Sequence, residues 1–262
     1  MTDTYMRVSM LNRDYEKTID TLSKDGQVSR ETDHYLEKIR DIKSIDDFLG
    51  DYEVYSYAMK AFGLDDMIYA KAYMRKVLEE GISDSKSFAN QLTDQRFKEF
   101  ATVFNFASHG DATTSFEKAQ QGVVDKYLEQ TLETREGQEN TGVQLALYFQ
   151  KKAASITSPM ELLGDRALAE VARTIAGIPE EAAGADIDWL SETIADRIDI
   201  DKMSDPDYVG ELVQRFSILY DLNHETTSTA APNILISSNR NAIVGMDEDL
   251  LMSLQGLQLG GI

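Results

Sequence analysis

The pattern with the greatest potential for chemistry is a Leu-Gly-Asp triplet that occurs twice, at residues 49–51 and 163–165. Two carboxylates in matching positions, Asp51 and Asp165, could form a twofold-repeated metal or substrate site. The alternative is structural, because glycine lets two helices approach closely and an aspartate early in a helix interacts favourably with the helix dipole. We favour the structural interpretation, since small residues that recur in this way are typical of packed helices.

Two further groups were candidates for metal binding or acid–base chemistry. The acidic run at residues 199–207 lacks the glycine at loop position six and the closing glutamate of an EF-hand, so a helix cap explains it better than calcium does. The three histidines, His34, His109 and His224, lie far apart and have no regularly spaced ligand partners. The sequence therefore predicts no catalytic residue, no metal ligand and no cofactor, and it predicts a core position for Trp189.

The elements that carry the two triplets are helical and resemble each other. Each stretch begins with a serine, a preferred N-cap residue, at 44 and 158, and ends with a glycine suited to a helix C-terminus at 63 and 177. Eight of thirty residues are identical without a gap when 35–64 is compared with 149–178. We therefore expect an all-α protein with two copies of a multi-helix unit and approximate internal symmetry.

The pattern along the chain predicts five segments. Apolar residues at steps of three or four, Tyr15 and Ile19 among them, predict an amphipathic N-terminal helix. The C-terminal tail combines a Thr/Ser/Ala linker, a possible short strand, and a short helix with Leu250, Leu254 and Leu257 on one stripe. The predicted segments are an N-terminal helix at 1–30, a first helical unit at 31–107, a connecting loop, helix and polar hinge at 108–142, a second helical unit at 143–222, and a linker with an apolar tail at 223–262.

Composition narrows the classes of partner. With 26 basic and 46 acidic residues the formal net charge is −20, which argues against nucleic acid or an anionic membrane as the main partner. The chain contains no cysteine, so disulfides and thiol chemistry are excluded. The N-terminal residues lack the apolar core of a secretory signal, so we expect a cytoplasmic location. No apolar run is long enough to span a bilayer, so we expect no membrane insertion.

Several stretches resemble a known bacterial family. Residues 33–49, 57–67 and 87–94 are similar to the repeated unit of the domain of unknown function 1217, and residues 141–150 and 214–216 are similar to its second copy. The resemblance covers most of residues 1–222. It implies a protein found mainly in alphaproteobacteria and encoded among flagellar genes. The family has no established activity, so the resemblance implies no catalytic or ligand-binding residues.

The resemblance and the residues together favour a protein that works by binding other proteins. We expect a non-enzymatic structural or accessory component of the flagellar apparatus, located in the cytoplasm or exported without a cleavable signal. The terminal segments would contact flagellar proteins, while the tail could instead dock on its own domain. The alternative is an enzyme with a cleft between the two copies. The expected contact residues are Tyr15, Ile19, Leu250, Leu254 and Leu257.

Overall fold

Short polar side chains determine where the helices of this chain begin. The hydroxyl oxygen of Ser44 accepts a hydrogen bond from the backbone N–H of Asp47 at 3.0 Å, and Ser158 accepts one from Glu161 at 3.4 Å. Both caps were predicted from the sequence and are confirmed. The carboxylates of Asp47 and Glu161 accept from the backbone N–H of the residue before the cap, at 3.2 and 2.7 Å.

The computed structural model describes residues 4–224, and every regular element within that range is helical. The predicted all-α fold is therefore confirmed for this part of the chain. The chain divides into two compact units, residues 1–220 and 221–262, and the description below concerns the first unit and the helix that ends at His224. The predicted strand and the stripe of leucines in the tail lie outside the described residues. The α-helices are α1 (Thr4–Arg13), α2 (Tyr15–Ser23), α3 (Gly26–Lys38), α4 (Ile45–Gly50), α5 (Tyr52–Ala61), α6 (Lys71–Glu80), α7 (Phe88–Gln91), α8 (Gln95–Val103), α9 (Phe106–His109), α10 (Gln121–Glu139), α11 (Thr141–Lys152), α12 (Pro159–Gly164), α13 (Arg166–Ala176), α14 (Ile187–Ala195) and α15 (Pro206–His224).

Helix α10 is one of the organising elements of the fold. It packs against α2, α3 and α5 from the first half of the chain and against α11 from the second. Its side chains Val123, Val124, Leu128 and Leu132 are buried. The polar stretch at 135–142, the part of the connecting segment predicted as a hinge, is helical up to Glu139, and α11 begins two residues later. Within this stretch the side chain of Glu136 is buried and pairs with Arg7, and composition alone does not distinguish such a residue from one in a solvated loop.

An aromatic cluster fills the core beneath α4 and α8. The ring of Phe48 lies 4.6 Å from that of Phe104 and 6.1 Å from that of Phe100, measured between ring centroids. Phe62 meets Phe100 edge to face at 5.2 Å. Aromatic pairs in these geometries add to the stabilisation that comes from burying their area.

The stretch predicted as one helix from Ser44 to Leu64 is two helices, α4 and α5, separated at Asp51. Gly50 ends α4, and a Cβ added to it would meet no atom within 4 Å. The prediction that this glycine permits a close helix approach is therefore wrong. The N-terminal stretch is likewise broken, at Asp14, into α1 and α2.

The two predicted copies share the order of their elements. In both, a helix, a 3-10 turn, a six-residue helix, a capping aspartate and a longer helix follow one another. Gly63 and Gly177 end the longer helices with positive φ angles of 65° and 72°, as their sequence positions predict. The internal duplication and the predicted boundaries between its parts stay predictions.

Candidate functional site

The paired aspartates of the Leu-Gly-Asp triplets cap helices. Asp165 accepts the backbone N–H groups of Ala167 and Leu168 at 2.8 and 3.0 Å and the hydroxyl of Tyr148 at 2.7 Å. Asp51 accepts the N–H of Val54 at 3.1 Å. These bonds satisfy donors that a helix N-terminus otherwise leaves unpaired. The structural interpretation of the triplets is confirmed in the role of the aspartates.

Charged groups from the first half of the chain act on Tyr148, the residue that donates to Asp165. The guanidinium of Arg96 donates to both carboxylate oxygens of Asp94 at 2.7–3.1 Å and also to the backbone carbonyl of Gly63. Burial alone would raise the pKa of Asp94, but the hydrogen bonds from Arg96 outweigh it and hold that pKa below its ordinary value. Burial and the bond to Asp165 raise the pKa of Tyr148. Each group has a partner within the protein, so the cluster is built as a structural network.

Removing the caps should destabilise the protein without affecting any chemistry. We expect Asp51→Ala to cost about 1 kcal/mol and Asp165→Ala about 2 kcal/mol, because the second also leaves the Tyr148 hydroxyl without its acceptor. Asp165→Asn keeps an oxygen at the cap and should cost less than Asp165→Ala. Thermal unfolding of these three variants measures this order. Unchanged unfolding temperatures for both alanine variants would contradict a capping role.

The candidates for metal binding are dispersed in the structure. Between residues 4 and 224 no group of three His, Asp or Glu side chains is placed to hold a metal ion. His34 lies 2.8 Å from Glu53, and the ring of His109 packs edge to face on Phe116 at 5.0 Å. His224 ends α15. In the same range no helix is both long and apolar enough to cross a membrane.

Tyr15 and Ile19, two of the predicted contact residues, are partly buried and pack against the hydrophobic core. Burial, together with Glu129 and Glu133 of α10, raises the pKa of Tyr15 to about 12. Helix α2 therefore directs these two side chains toward α10, and their role in partner binding stays a prediction. The other three predicted residues, Leu250, Leu254 and Leu257, lie outside the described part of the chain.

Two ion pairs with buried carboxylates tie separate helices together. Arg7 of α1 donates to both oxygens of Glu136 at 2.7 and 2.5 Å, which fixes α1 on α10. Lys151 of α11 pairs with Glu133, whose side chain is almost fully buried. Burial raises the pKa of Glu133 above its ordinary value, against the lowering effect of Lys151.

The Lys151–Glu133 pair gives a pH-dependent prediction. When folding raises the pKa of a carboxyl, the folded protein becomes less stable as the pH rises through that pKa. We expect Lys151→Met to raise the pKa of Glu133 further and to lower the free energy of unfolding by about 2 kcal/mol near neutral pH. This loss is smaller than that expected for a fully buried ion pair, because Lys151 is partly exposed. The deficit should shrink as the pH falls toward 5. Urea unfolding between about pH 5 and pH 8 measures it.

The neighbouring residue supplies the control. Lys152 pairs with Glu99 at 2.5 Å, and the Glu99 side chain is substantially exposed. Lys152 also lowers the pKa of Glu133, but as a weaker charge than Lys151, so the stability deficit of Lys152→Met should depend less on pH than that of Lys151→Met. Equal pH dependence in the two variants would contradict the specific pairing of Lys151 with Glu133.

Exposed apolar side chains occur on the helices at both ends of the described chain. On α1, Met6 and Met10 are 56% and 44% exposed, one turn apart, while Val8 and Leu11 on the opposite face are buried. On α15, Ile218 and Leu222 are also exposed one turn apart. We call Met6, Met10, Ile218 and Leu222 the terminal apolar residues. Met6 and Met10 were not among the contact residues predicted from the sequence. Apolar residues on both faces of a helix could have indicated them, because the second face can bind something other than the helix's own core.

Thr4 of α1 and Tyr220 of α15 both lie close to Gly142, near the start of α11. A Cβ on Gly142 would lie 2.6 Å from Cδ1 of Tyr220 and 2.9 Å from Oγ1 of Thr4. Asn140 exchanges contacts with the Thr4 hydroxyl at 3.1 and 3.4 Å. Helices from both ends of the described chain are thus anchored at one place.

Trp189, predicted to lie in the core, is 46% exposed on α14. The buried side chains of this helix are Leu190 and Ile194, and Trp189 projects away from them. The prediction is wrong because the spacing of Leu190 and Ile194 alone suffices to fix the buried face of so short a helix.

The fold is all-α in the described range, and the polar clusters reported above cap helices or join one helix to another. Residues 61–209 match the family described as protein of unknown function (DUF1217), and the chain belongs to that family. The crystal structure of protein AGR_C_984 from Agrobacterium tumefaciens is similar, with 45% sequence identity and a TM-score of 0.78 over 85% of this chain and 95% of that chain. No curated protein matches.

Proposed function

We propose that the protein is a structural or accessory component of the flagellar apparatus and acts by binding other proteins. The observation that carries the proposal is the second apolar face of α1. A helix whose inner face is buried gains nothing within its own domain from Met6 and Met10 on its outer face, whereas a partner would bury them. Methionine is adaptable in shape and is common at binding surfaces.

The position of α1 supports its use as a contact element. The ion pair between Arg7 and Glu136 and the bond from Asn12 to Gln150 at 3.0 Å hold the helix rigidly on α10 and α11. A partner would therefore meet a preformed surface and would not have to order it on binding. The flagellar part of the proposal rests on what the resemblance implies, a family encoded among flagellar genes. The proposed function applies both to a cytoplasmic adaptor and to an exported subunit.

An enzyme acting through Asp51 or Asp165 is not proposed. Both carboxylates accept backbone N–H groups at helix starts, and Asp165 also accepts the Tyr148 hydroxyl. The oxygens of Asp165 are thereby engaged in holding the helix start and the Tyr148 ring in place. Full activity loss in Asp165→Asn without a change in unfolding temperature would support the enzyme instead.

Charge placed on the outer face of α1 tests the proposal in cells. The chromosomal gene would carry Met6→Glu and Met10→Glu, and flagella would be counted by electron microscopy alongside swimming motility. We expect fewer flagella or reduced swimming, with the protein present at its normal level. The matched control carries Tyr52→Glu and Tyr69→Glu, at two exposed aromatic positions elsewhere, and should behave as wild type. Normal flagella and motility in the methionine variant would contradict the proposal.

A further inference from the structure

Residues 180–211 form the most acidic stretch of the described chain. They hold eleven Asp and Glu residues against two Lys and Arg, a net charge of −9 out of the −20 of the whole chain. All eleven carboxylate residues are exposed. Because they lie together in about an eighth of the length, they concentrate negative potential on one part of the surface.

An open groove lies within this acidic region. It has a volume of about 540 Å³ and is formed by the turn after α14, the start of α12 and the beginning of α15. Its apolar lining comes from Pro159, Ile198, Ile200 and Tyr208. The Tyr208 hydroxyl accepts the backbone N–H of Asp199 at 2.8 Å, which fixes the ring in the wall.

Acidic side chains surround the apolar lining. Asp196, Asp199 and Asp201 line the groove, and the one basic residue in the lining is Arg197. Asp199 also pairs with Lys202 at 3.0 Å. The groove therefore combines an apolar floor with an excess of negative charge, an arrangement that suits a side chain with an aliphatic stem and a cationic end.

We infer that this groove, which we call the acidic groove, docks a basic amphipathic segment of a protein partner. The inference depends on the proposed function, since it assumes a protein that works by binding, and it adds the chemistry of the partner. Lysine or arginine stems would cover Ile200 and Tyr208 while their charges meet the aspartates. Opposite charge on the partner also speeds association and makes it sensitive to salt.

Charge decides against other occupants. The chain's own residues 225–262 carry four acidic residues and one basic residue, so the acidic groove would repel them. A divalent cation does not fit, since no three carboxylates between residues 4 and 224 converge as metal ligands. Nucleic acid is excluded at this surface by its own negative charge.

A defined peptide tests the acidic groove directly. The probe is a fluorescein-labelled helical peptide of lysine and leucine, with a glutamate–leucine peptide of the same length for comparison, titrated with the full-length protein. We expect the lysine peptide to bind at about 0.1 M salt, to weaken strongly at about 1 M salt, and the glutamate peptide not to bind. The charge-neutralised variant carries Asp196→Asn, Asp199→Asn and Asp201→Asn, and should bind the lysine peptide about tenfold or more weakly.

A second variant separates the groove from the net charge. Asp41→Asn, Asp111→Asn and Glu117→Gln remove the same number of charges at exposed positions outside residues 180–211. This variant should bind within about threefold of wild type. Equal losses in the two variants, or no loss in the groove variant, would overturn the inference.

The peptide test concerns a different surface from the one assigned to the proposed function. The methionines of α1 take no part in this test, so its failure would leave the proposed function standing.

Discussion

Replacing Phe48 by alanine is expected to lower the free energy of unfolding by about 3–5 kcal/mol, the largest loss for any single substitution considered for this protein. Phe48 is fully buried. Its ring lies 4.6 Å from Phe104 of the α8 end and 5.9 Å from both Tyr55 of α5 and Phe106 of α9. Alanine would leave a cavity among rigid rings that cannot collapse into it.

Urea unfolding followed by circular dichroism measures this loss. Phe116→Ala is the matched control, because Phe116 is 42% exposed and contacts mainly His109 and Lys118. It should change the free energy of unfolding by less than about 1 kcal/mol. Similar losses in the two variants would show that the aromatic cluster does not form the core described here.

Gly142→Ala is expected to cost about 2–3 kcal/mol through overpacking. The new methyl group would lie 2.6 Å from the Tyr220 ring and 2.9 Å from the Thr4 hydroxyl, both closer than van der Waals contact allows. Tyr220 is buried and cannot swing away freely, so α15 or α1 must move. Limited proteolysis should then cleave within α1 or the last turns of α15 sooner than in wild type.

Gly210 provides the control for Gly142. It lies on the exposed face of α15, where a Cβ would meet no atom within 4 Å. Gly210→Ala should therefore stabilise the protein by up to about 1 kcal/mol through better helix propensity. The two substitutions are chemically identical and differ only in the space around them, so effects of the same sign would contradict the packing described at Gly142.

The local rules of helix formation were predictable from the sequence. Ser44 and Ser158 cap their helices, and Gly63 and Gly177 end theirs, because these residue types satisfy or permit specific backbone geometry wherever they occur. The all-α class follows from the same signals. Asp51 was correctly interpreted as structural, although the single helix predicted to run through it is divided into two at that residue.

Features that depend on tertiary contacts were not predictable in this way. Glu136 contributed to the prediction of a polar hinge, yet Arg7 comes from a distant part of the chain to pair with it. Glu133, at the end of the predicted connecting helix, pairs with Lys151 of the next helix. Trp189 was expected inside because of its size, and its exposure depends on how α14 lies on its neighbours. The outer face of α1 could be identified only from the structure, in which Val8 and Leu11 are buried and define the inner face.

We propose that this protein acts by binding partners through Met6 and Met10 on the outer face of α1. Affinity co-purification from native cells tests it most directly, with full-length protein compared with the full-length Met6→Glu, Met10→Glu variant and partners identified by mass spectrometry. We predict that flagellar proteins are enriched with wild type and lost with the variant, while the Tyr52→Glu, Tyr69→Glu control retains them. Equal recovery of those proteins by the methionine variant, or no flagellar protein in any sample, would contradict the account.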